Sequence, residues 1–560
     1  MYDYIIVGAG SAGCVMAHRL SEDPACRVLL LEAGPRDWHP FIHMPAGLSK
    51  LVNRKGVNWD YDTAPVPALG GRRLWWPRGK VLGGSSSINA MCYIRGHAGD
   101  YDEWAAMGAD GWDWASVLPY FRRSEGNVRG ADALHGGDGP LAVSDPVHVN
   151  VLSEVFVQAA REAGHRPNND FNGADQEGFG YYQTTTRDGA RSSAAEAYLK
   201  PARARPNLTV ITGAVASRVT FEGDRASGVV YTTRRGAFCE GAAREVILCG
   251  GAINSPQLLQ LSGIGNPEHL EPLGVEMVHD LPGVGENLQD HLEVYIQHSS
   301  LQPVSIVKGL KWRNRPLVGL EWLLKRTGTA ASNHFEGGGF CRSNDDVDWP
   351  NLMFHFLPIA IRYDGSAPAG QDKYAHGYQV HIGPMYADTR GWVRIASTDP
   401  RQKPKMLFNY LSTPTDRREW VEAVRVARDI LGQPAFAPFN GGELSPGPSV
   451  DTDEEILEWV RKDAETALHP SCTTKMGTDD LSVVDPASMR VHGTEGLRVV
   501  DASVFPFVTN GNIYAPVMMV AEKAADLVAG NTPLAPADVP YYRHRDDSPH
   551  HPPGDPRNAQ

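Results

Sequence analysis

The segment Asp3–Gly13 reads DYIIVGAGSAG, and it decides the fold of the chain. Residues 4–7 form a short apolar run rich in β-branched side chains, which predicts a buried central strand. The three glycines that follow have GxGxxG spacing. Gly8 permits a tight turn, Gly10 lets a pyrophosphate approach the backbone, and Gly13 lets the next helix pack closely on the strand. The segment therefore predicts a strand, a turn and a helix that bind a dinucleotide.

The residues immediately downstream complete this nucleotide-binding unit. Residues 14–20 supply the helix, whose N-terminal amides and dipole favour an anion. A second apolar strand over residues 27–31 ends at Glu32, about 20 residues after the glycines, where a carboxylate can accept ribose hydroxyls. Strand, glycines, helix, strand and acid together predict a dinucleotide site, although this unit alone does not separate NAD from FAD.

A second loop rich in small residues lies at residues 77–96, which read PRGKVLGGSSSINAMCYIRG. Gly83 and Gly84 precede three serines, and such small residues expose backbone amides and hydroxyls to an anion. Leu82 and Ile88 give the loop apolar side chains with which to pack. This composition favours an ordered cradle over a flexible linker.

The rest of the chain contains two kinds of segment, which differ in the residues that form their strands. Apolar strands at residues 245–249 and 496–500, followed by glycines or an acid, and an apolar helix over residues 515–528 return to the pattern of the first unit. From about residue 300 to 455 the strands are aromatic and mixed, with one helix over about 416–431. We expect this middle part to form an antiparallel sheet that caps the nucleotide-binding part and provides a substrate cavity.

Composition limits the class of protein. A chain of 560 residues is too long for one compact core, so two domains are expected, and a net charge of −13 argues against a nucleic-acid-binding protein. The seven cysteines are scattered without metal-site spacing, which predicts reduced intracellular thiols and no metal site. The first strand begins near residue 3, leaving no room for a signal peptide, and no apolar run approaches the ~18 residues of a membrane span. We therefore expect a cytoplasmic protein, with peripheral association at the inner face of the membrane left open.

In this order, the motifs resemble those of the glucose-methanol-choline (GMC) flavoprotein oxidoreductases. Within that family the chain most resembles the bacterial choline dehydrogenases, through NHFE at residues 333–336 and HFLP at residues 355–358. The resemblance covers residues 1 to about 535. It rests on five motifs: the first glycine loop with Glu32, GKVLGGSSSIN at 79–89, GAINSP with SGIG at 251–265, HP with MG at 469–477, and VDAS at 500–503.

The resemblance implies an α/β (α+β overall) fold. It consists of a Rossmann-type FAD-binding domain built from discontinuous segments and a substrate domain with an antiparallel sheet flanked by helices. We expect the FAD-binding domain at residues 1–150, 195–300 and 456–536, and the substrate-binding domain at 151–194 and 301–455. The Pro-, His- and Asp-rich residues 537–560 are expected to form a tail that is disordered or draped on the surface.

The resemblance also implies FAD as the dinucleotide. Some family members tether the flavin through a histidine in the glycine-serine loop, but this chain has Ile88 there, so we expect non-covalent FAD. The residues expected to bind the cofactor are Gly8, Gly10, Ser11, Gly13, Glu32, Ala33, Arg78, Gly83, Gly84, Ser85, Asn89, Ala90, Met91, Val215, Asp501, Ala502, Asn512 and Ala515.

The implied reaction identifies the candidate catalytic residues. An alcohol that is oxidised loses a hydroxyl proton and a hydride, and flavin takes only the hydride, so a base is needed beside the carbinol. An imidazole suits this role near neutral pH, and His469, beside Pro470, falls on the family's catalytic position. The family's asparagine or histidine opposite this base falls on Tyr514 here, whose hydroxyl can replace the contact to the substrate oxygen.

A choline substrate would require an aromatic or acidic cage for its quaternary ammonium group. Phe335, Glu336 and Trp59 are the candidates, and His355 is a candidate second imidazole in the cavity. A structural ion pair remains an alternative for Glu336, and a packed core position remains one for His355. The larger Tyr514 and the replacement of a common glycine by Cys472 leave the identity of the alcohol open.

These observations predict FAD-dependent oxidation of a primary alcohol to an aldehyde, resembling choline dehydrogenase, with hydride transfer to flavin N5. One alternative is a GMC oxidase or dehydrogenase of an uncharged aliphatic or aromatic alcohol, and a more distant one is a lyase or decarboxylase on the same fold. The partners expected are a small alcohol and either O2 or a quinone as electron acceptor. The sequence leaves the oligomeric state open, including a homo-oligomer.

Overall fold

The computed structural model describes residues 1–362, 365–368, 371–372 and 374–544. Among these residues, two large sheets of seven strands each dominate the fold. Their strands, in chain order, are β1 Tyr2–Val7, β2 Val28–Glu32, β3 Gly178–Tyr181, β4 Leu208–Thr212, β5 Val215–Glu222, β6 Arg225–Thr233, β7 Gly236–Leu248, β8 Leu292–Ser300, β9 Gly337–Cys341, β10 Leu352–Leu357, β11 Gly377–Pro384, β12 Asn440–Ser445, β13 Glu465–Thr466 and β14 Leu497–Val499.

The longer helices surround these sheets. They are α1 Ser11–Leu20, α2 Ala98–Ala106, α3 Trp114–Ser124, α4 Val151–Glu162, α5 Gly251–Leu261, α6 Arg315–Lys325, α7 Pro414–Leu431, α8 Asp453–Asp463 and α9 Tyr514–Ala529. Short helices lie at Pro40–His43, Leu48–Leu51, Lys200–Ala202, Pro267–Leu270 and Val307–Leu310. Two-stranded sheets pair Tyr61–Asp62 with Trp75–Trp76, Glu125–Asn127 with Leu141–Val143, Thr186–Arg187 with Ala190–Arg191, Ile264–Gly265 with His279–Asp280, and Trp392–Arg394 with Lys405–Leu407.

The first large sheet has the order β4-β2-β1-β7-β6-β5, with β14 paired to β7. Strands β4, β2, β1, β7 and β14 run parallel, whereas β5 and β6 form an antiparallel extension of β7. The central strands β1 and β2 are buried and almost wholly apolar from residue 4 to residue 7 and from residue 28 to residue 31, as is typical of a parallel sheet covered on both faces. Their register aligns Val7 with Leu31 and Leu248, so their carboxyl ends share one edge. Ligands bind at this edge in open parallel sheets.

The second large sheet is antiparallel, with the order β12-β8-β11-β10-β9-β3 and with β13 paired to β8. Helices α4 and α7 pack against it through a separate apolar core that includes Phe156, Phe356 and Trp420. The fold class predicted from the sequence is thus confirmed.

The predicted elements differ from the observed ones mainly in their ends. Between residues 208 and 233 the chain forms three strands, β4, β5 and β6, and a bend at Gly213, with a positive φ, separates β4 from β5. The strand expected from residue 245 begins at residue 236, where an exposed antiparallel ladder with β6 extends it. That extension, residues 236–244, is largely solvent-exposed and rich in Gly and Ala, so it lacks the continuous run of large apolar residues that marks a buried strand.

Residues 537–544 lie along the surface, where the backbone amides of Ala537 and Tyr542 donate to the carbonyls of Ala115 and Ala174. Residues 545–560, the remainder of the expected tail, lie outside the described residues. The proposed domain boundaries remain a prediction. No helix in the described part of the chain is both long enough and apolar enough to span a membrane.

Candidate active site

A single cavity brings together the carboxyl edge of the first sheet and one face of the second. Val7, Glu32 and Leu248 line it from the parallel strands, and Glu293 and His355 line it from β8 and β10. The cavity therefore lies where a nucleotide at the parallel edge would meet a substrate held by the antiparallel sheet.

The glycine loop at the end of β1 packs too closely for any other residue. A Cβ atom on Gly13 would lie 1.8 Å from the Gly8 carbonyl oxygen, so α1 can approach the turn only with glycine there. Gly84, in the second glycine loop, has φ +54°, and a Cβ atom there would lie 2.7 Å from Gly10 Cα. The two loops thus meet backbone to backbone beside the cavity, as a close-fitting phosphate site requires.

Glu32 ends β2 with its carboxylate held at the cavity wall. Ala9 N donates to Oε2 at 2.9 Å and Gly34 N donates to Oε1 at 2.8 Å. Burial raises the pKa of this carboxyl to about 7, while the two amide hydrogen bonds act in the opposite direction. Each oxygen keeps acceptor capacity for a ribose hydroxyl.

Most of the residues expected to bind the cofactor line this cavity, and three do not. Gly13, Gly83 and Ala515 lie behind the wall, where they permit close packing. Those that line it are Gly8, Gly10, Ser11, Glu32, Ala33, Arg78, Gly84, Ser85, Asn89, Ala90, Met91, Val215, Asp501, Ala502 and Asn512.

Asp501 has a structural task in addition to its place in the wall. Its Oδ2 accepts from Gly251 N at 2.8 Å and from Ser255 Oγ at 2.6 Å, and its Oδ1 accepts from Ser503 N and Oγ. The carboxylate that follows β14 therefore fixes the start of α5 against the neighbouring strand end.

The backbone at His469 is fixed from two directions. Its amide donates to Asp290 Oδ1 at 2.7 Å, and the preceding Leu468 has a φ of +67°. The buried guanidinium of Arg78 donates to the Leu468 carbonyl at 2.7 Å. Asp290 also accepts hydrogen bonds from Tyr410 and Thr466, so the loop is held by a buried polar network.

The His469 imidazole contacts a side chain through each ring nitrogen. Asn512 Nδ2 donates to Nε2 at 3.1 Å, and Nδ1 lies 3.0 Å from Nδ1 of His291. Because Nε2 accepts, the proton of the neutral ring is on Nδ1, which donates to His291. The lone pair of Nε2 is consequently the one directed toward Asn512, at the cavity wall.

The surroundings keep His469 uncharged. Enclosure by protein lowers its pKa well below the ordinary value of 6.5, and His291, His355 and Arg78 lower it further. Burial also lowers the pKa of His291 and of His355, each to about 4. A neutral imidazole with an accepting Nε2 is the form that can take up a proton.

Tyr514 lines the same cavity as His469, but the side chain that contacts His469 Nε2 is Asn512 and not Tyr514, the residue expected there. Tyr514 is the first residue of α9, and its phenol lies on the side of Ser86, Cys14 and Arg191, where burial raises its pKa. Asn512, expected only to bind the cofactor, occupies the contact with Nε2 instead. The two residues differ in their place in the chain: Asn512 lies in the loop before α9, whereas Tyr514 is already part of the helix.

Glu336 does not line the cavity. It lies directly before β9 next to Phe335, which does line the cavity, and adjacent residues of an extended chain point in opposite directions. Its buried carboxylate accepts hydrogen bonds from Ser153 at 3.1 Å and from Ser332. The acidic side chain that lines the cavity from the antiparallel sheet is Glu293, whose Oε1 lies 3.1 Å from His381 Nδ1.

The other two candidates for substrate binding, His355 and Trp59, both line the cavity but have different neighbours. His355 lines the cavity between the rings of Tyr182, at 4.9 Å, and Phe335, at 5.7 Å. Trp59 lines it too, but Lys80 Nζ lies 4.3 Å from its ring centroid and Tyr61 stacks on it. This chain's own ammonium group therefore already occupies a cation site on Trp59.

Comparison with known proteins decides the family. The model of the N-terminal part of the GMC oxidoreductases matches residues 2–293, and that of the C-terminal part matches residues 387–521. The chain is also 55% identical over 552 residues to the oxygen-dependent choline dehydrogenase of Staphylococcus xylosus, covering 97% of each chain. The chain belongs to the GMC oxidoreductases. This GMC oxidoreductase is accordingly an FAD-dependent enzyme that oxidises alcohols, which confirms the predicted family, enzyme class and cofactor.

Solved structures of other GMC oxidoreductases share its fold. The pyridoxine 4-oxidase described from Mesorbium loti is 32% identical, with a TM-score of 0.85 over 95% of this chain and 100% of that one. A formate oxidase variant from Aspergillus oryzae is 28% identical, with a TM-score of 0.87 over 94% of this chain and 98% of that one.

The cavity of this GMC oxidoreductase fits FAD on its own geometry. The glycine cradle, in which the backbones of the two loops touch, and the carboxylate of Glu32 suit the pyrophosphate and the adenosine ribose. No role was predicted from the sequence for His291 or Glu293. Residues 290–294 read DHLEV, and in a strand the residues at i and i+2 face the same side, so this pattern could have indicated that His291 and Glu293 share one face.

Proposed function

We propose that this enzyme oxidises choline to its aldehyde, with His469 as the general base and O2 as the electron acceptor. The observation that carries the proposal is a neutral imidazole whose Nε2 lone pair is held at the wall of a cavity that also contains a carboxylate, Glu293. The relatives that are 55% identical over nearly the whole chain are oxygen-dependent choline dehydrogenases, which supports both the substrate and the acceptor.

FAD, when bound, supplies the hydride acceptor at its N5 atom. The residues that would hold it are those of the two glycine loops and Glu32. Ile88, at the position where some family members have a tethering histidine, is apolar and buried, so it offers no atom for a covalent bond. We therefore propose that the cofactor is bound without a covalent link.

The chain's own contribution to the reaction is the handling of the hydroxyl proton. A substrate hydroxyl that takes the place of the Asn512 contact donates its proton to His469 Nε2, as the alcohol carbon loses its hydride. The second ring nitrogen stays hydrogen-bonded to His291, which fixes the ring orientation while charge develops. Asn512 remains beside the substrate oxygen, where its amide NH2 can donate to the developing negative charge.

Two residues that line the cavity complement the quaternary ammonium group of choline. Glu293 provides a buried carboxylate and Phe335 provides an aromatic ring. His381 contacts both, since its Nδ1 lies 3.1 Å from Glu293 Oε1 and its ring centroid lies 5.7 Å from that of Phe335. A trimethylammonium group cannot donate hydrogen bonds, so such a site recognises it by charge and by the ring quadrupole.

An uncharged aromatic alcohol is the second candidate substrate. The observation that favours it is the contact of Glu293 Oε1 with His381 Nδ1 at 3.1 Å, which occupies part of the hydrogen-bonding capacity of this carboxylate. The similarity to a pyridoxine 4-oxidase, at 32% identity, points in the same direction.

Anaerobic stopped-flow reduction of the bound flavin by choline and by benzyl alcohol tests both proposals. We expect His469→Ala to retain its flavin spectrum and to lose about 10²- to 10⁴-fold in the rate constant of reduction. His269→Ala, away from the cavity, is the control and should reduce normally. Unchanged reduction by His469→Ala would exclude it as the base.

The same experiment with Glu293→Gln separates the substrates. We expect a rise of about tenfold in the choline concentration needed for half-maximal reduction, and little change for benzyl alcohol. If benzyl alcohol reduces the wild-type flavin faster than choline does, the uncharged alcohol is the substrate. Admission of O2 to the reduced enzyme then tests the acceptor, because rapid return of the oxidised spectrum is expected.

A further inference from the structure

Helix α6 presents leucines to the solvent. Leu317, Leu320 and Leu324 occupy one face at i, i+3 and i+7, with side-chain exposures of 68%, 51% and 71%, and Leu323 beside them is 62% exposed. We call these four residues the leucine face. Single exposed leucines are ordinary on protein surfaces, but a contiguous apolar stripe on a helix marks an interaction site.

The opposite side of α6 fixes the helix to the protein. Trp322 is 3% exposed and donates from Nε1 to the Gly189 carbonyl at 2.8 Å. Val318 packs in the same small apolar cluster, which includes Met44 and Ala46. The buried side of α6 thus already has its packing and hydrogen-bond partners within the chain. The leucine face on the other side consequently points to the solvent in the folded protein.

The surroundings of the leucine face are strongly basic, although the whole chain carries a net charge of −13. Residues 307–327 contain six basic residues and a single acidic one, Glu321, a local net charge of +5. Trp312 precedes the helix and is 69% exposed. The exposed basic residues at the ends of this segment are Lys308, Lys311, Arg313, Arg315 and Lys325.

We propose that the leucine face and its basic surroundings dock the enzyme on an anionic lipid bilayer. An amphipathic helix with leucines on one face, lysines and arginines beside them and a tryptophan at its end lies in the interface between headgroups and acyl chains. Anionic lipids attract the basic residues, and the leucines enter the apolar boundary. The helix lies on the surface and does not span the membrane, in keeping with its length of 11 residues.

Charge favours a bilayer over a second copy of the chain. In a two-fold symmetric dimer the same patch would face itself, which would place one segment of charge +5 against another. An anionic lipid surface complements that charge instead.

Docking would bring one border of the cavity close to the lipid. Met44 and Ala46 pack in the same apolar cluster as Trp322, and Leu48 and Val52, a few residues further along the chain, line the cavity.

Cosedimentation of the holoenzyme with vesicles tests this proposal independently of turnover. We expect binding to vesicles that contain phosphatidylglycerol and phosphatidylcholine, little binding to phosphatidylcholine alone, and weaker binding in high salt. Leu317→Ser with Leu324→Ser should lower the partition coefficient by at least about tenfold. Leu481→Ser, which changes an exposed leucine elsewhere, should leave it unchanged.

Charge reversal provides the second arm. Lys311→Glu with Arg313→Glu should lower binding by about fivefold or more for each residue, whereas Arg234→Glu with Arg235→Glu, on an exposed hairpin, should not. Retained flavin content and thermal midpoint show that each variant is folded. Equal binding of wild type and variants to anionic vesicles would overturn the proposal. The proposal would also be overturned if the wild type did not bind vesicles but eluted as a dimer in gel filtration, and the leucine variants eluted as monomers.

Discussion

Asn512 and Tyr514 are two residues apart, but their side chains have different surroundings. Asn512 contacts Nε2 of His469, whereas the Tyr514 phenol lies toward Ser86 and Arg191. We therefore expect Asn512→Ala to lower the rate constant of flavin reduction by about 10²-fold, because the developing oxyanion loses a donor. Tyr514→Phe removes only a hydroxyl outside that contact and should change the rate constant by less than about threefold.

Anaerobic stopped-flow measurements on both variants, at saturating substrate and with flavin content determined first, distinguish these effects. The reverse order, with Tyr514→Phe the slower variant, would show that the phenol reaches the substrate during turnover. Equal and small effects would remove both residues from the reaction.

The distinction between Glu336 and Glu293 shows what residue patterns can and cannot predict. NHFE at residues 333–336 drew attention to an aromatic residue and an acid side by side. The folded chain places Phe335 at the cavity wall, whereas the carboxylate of Glu336 points away from the cavity to Ser153 and Ser332. The acid that does line the cavity with Phe335, Glu293, comes from β8, a strand about 40 residues away in the sequence that only the folded sheet brings to the same cavity.

At the level of elements, the N-terminus of α2 combines a cap with a titratable group. His97 accepts from Gly99 N through Nδ1 at 3.1 Å, and Asp100 accepts from His97 N at 2.9 Å, which forms a capping box. The imidazole stacks on Trp349 with ring centroids 5.1 Å apart. Burial lowers the pKa of His97 to about 3, with the charge of Arg543 acting in the same direction.

This depressed pKa makes the cap sensitive to acid. The unfolded chain binds a proton at His97 below pH ~6.5 while the folded chain does not, so the folded state loses stability as the pH falls. Asparagine also caps helices but does not titrate. The free energy of unfolding of the wild type, relative to His97→Asn, should therefore fall by about 2 kcal/mol between pH 7.5 and 5.0.

Denaturant unfolding of both proteins at the two pH values, followed by tryptophan fluorescence, measures this difference. His269→Asn, the same substitution at a histidine outside this cap, serves as the matched control. A difference between wild type and His97→Asn that stays constant with pH would mean that His97 is protonated in the folded state.

Contiguous elements were predictable, and assembled ones were not. The unit β1-α1-β2 lies within residues 2–32, so its strand, glycines and acid can all be recognised in one short stretch of sequence. The contact between His469 and His291 joins residues 178 positions apart, and no periodicity in the sequence encodes that distance. The basic, leucine-exposing helix α6 has an ordinary amphipathic pattern, and only the fold shows that its apolar face points outward.

On the scale of the whole molecule, the cavity is the junction of two separate cores. The parallel sheet and the antiparallel sheet each have their own apolar cluster, and both contribute to the cavity wall. A cofactor that contacts both walls adds binding free energy to the folded form of each, which raises stability by about 2.7 kcal/mol at 100 times the dissociation constant.

Removal of FAD should therefore separate the unfolding of the two cores. We expect the apoprotein to unfold in two calorimetric transitions and the holoenzyme to unfold in one, at higher temperature, because the cofactor couples the sheets across the cavity. ADP is the matched control, since it fills only the glycine-loop end beside Glu32 and should stabilise the first core while leaving two transitions. Merging of the transitions by ADP, or a single transition in the apoprotein, would mean that protein contacts alone couple the sheets and that the flavin end of the cavity contributes nothing to their cooperativity.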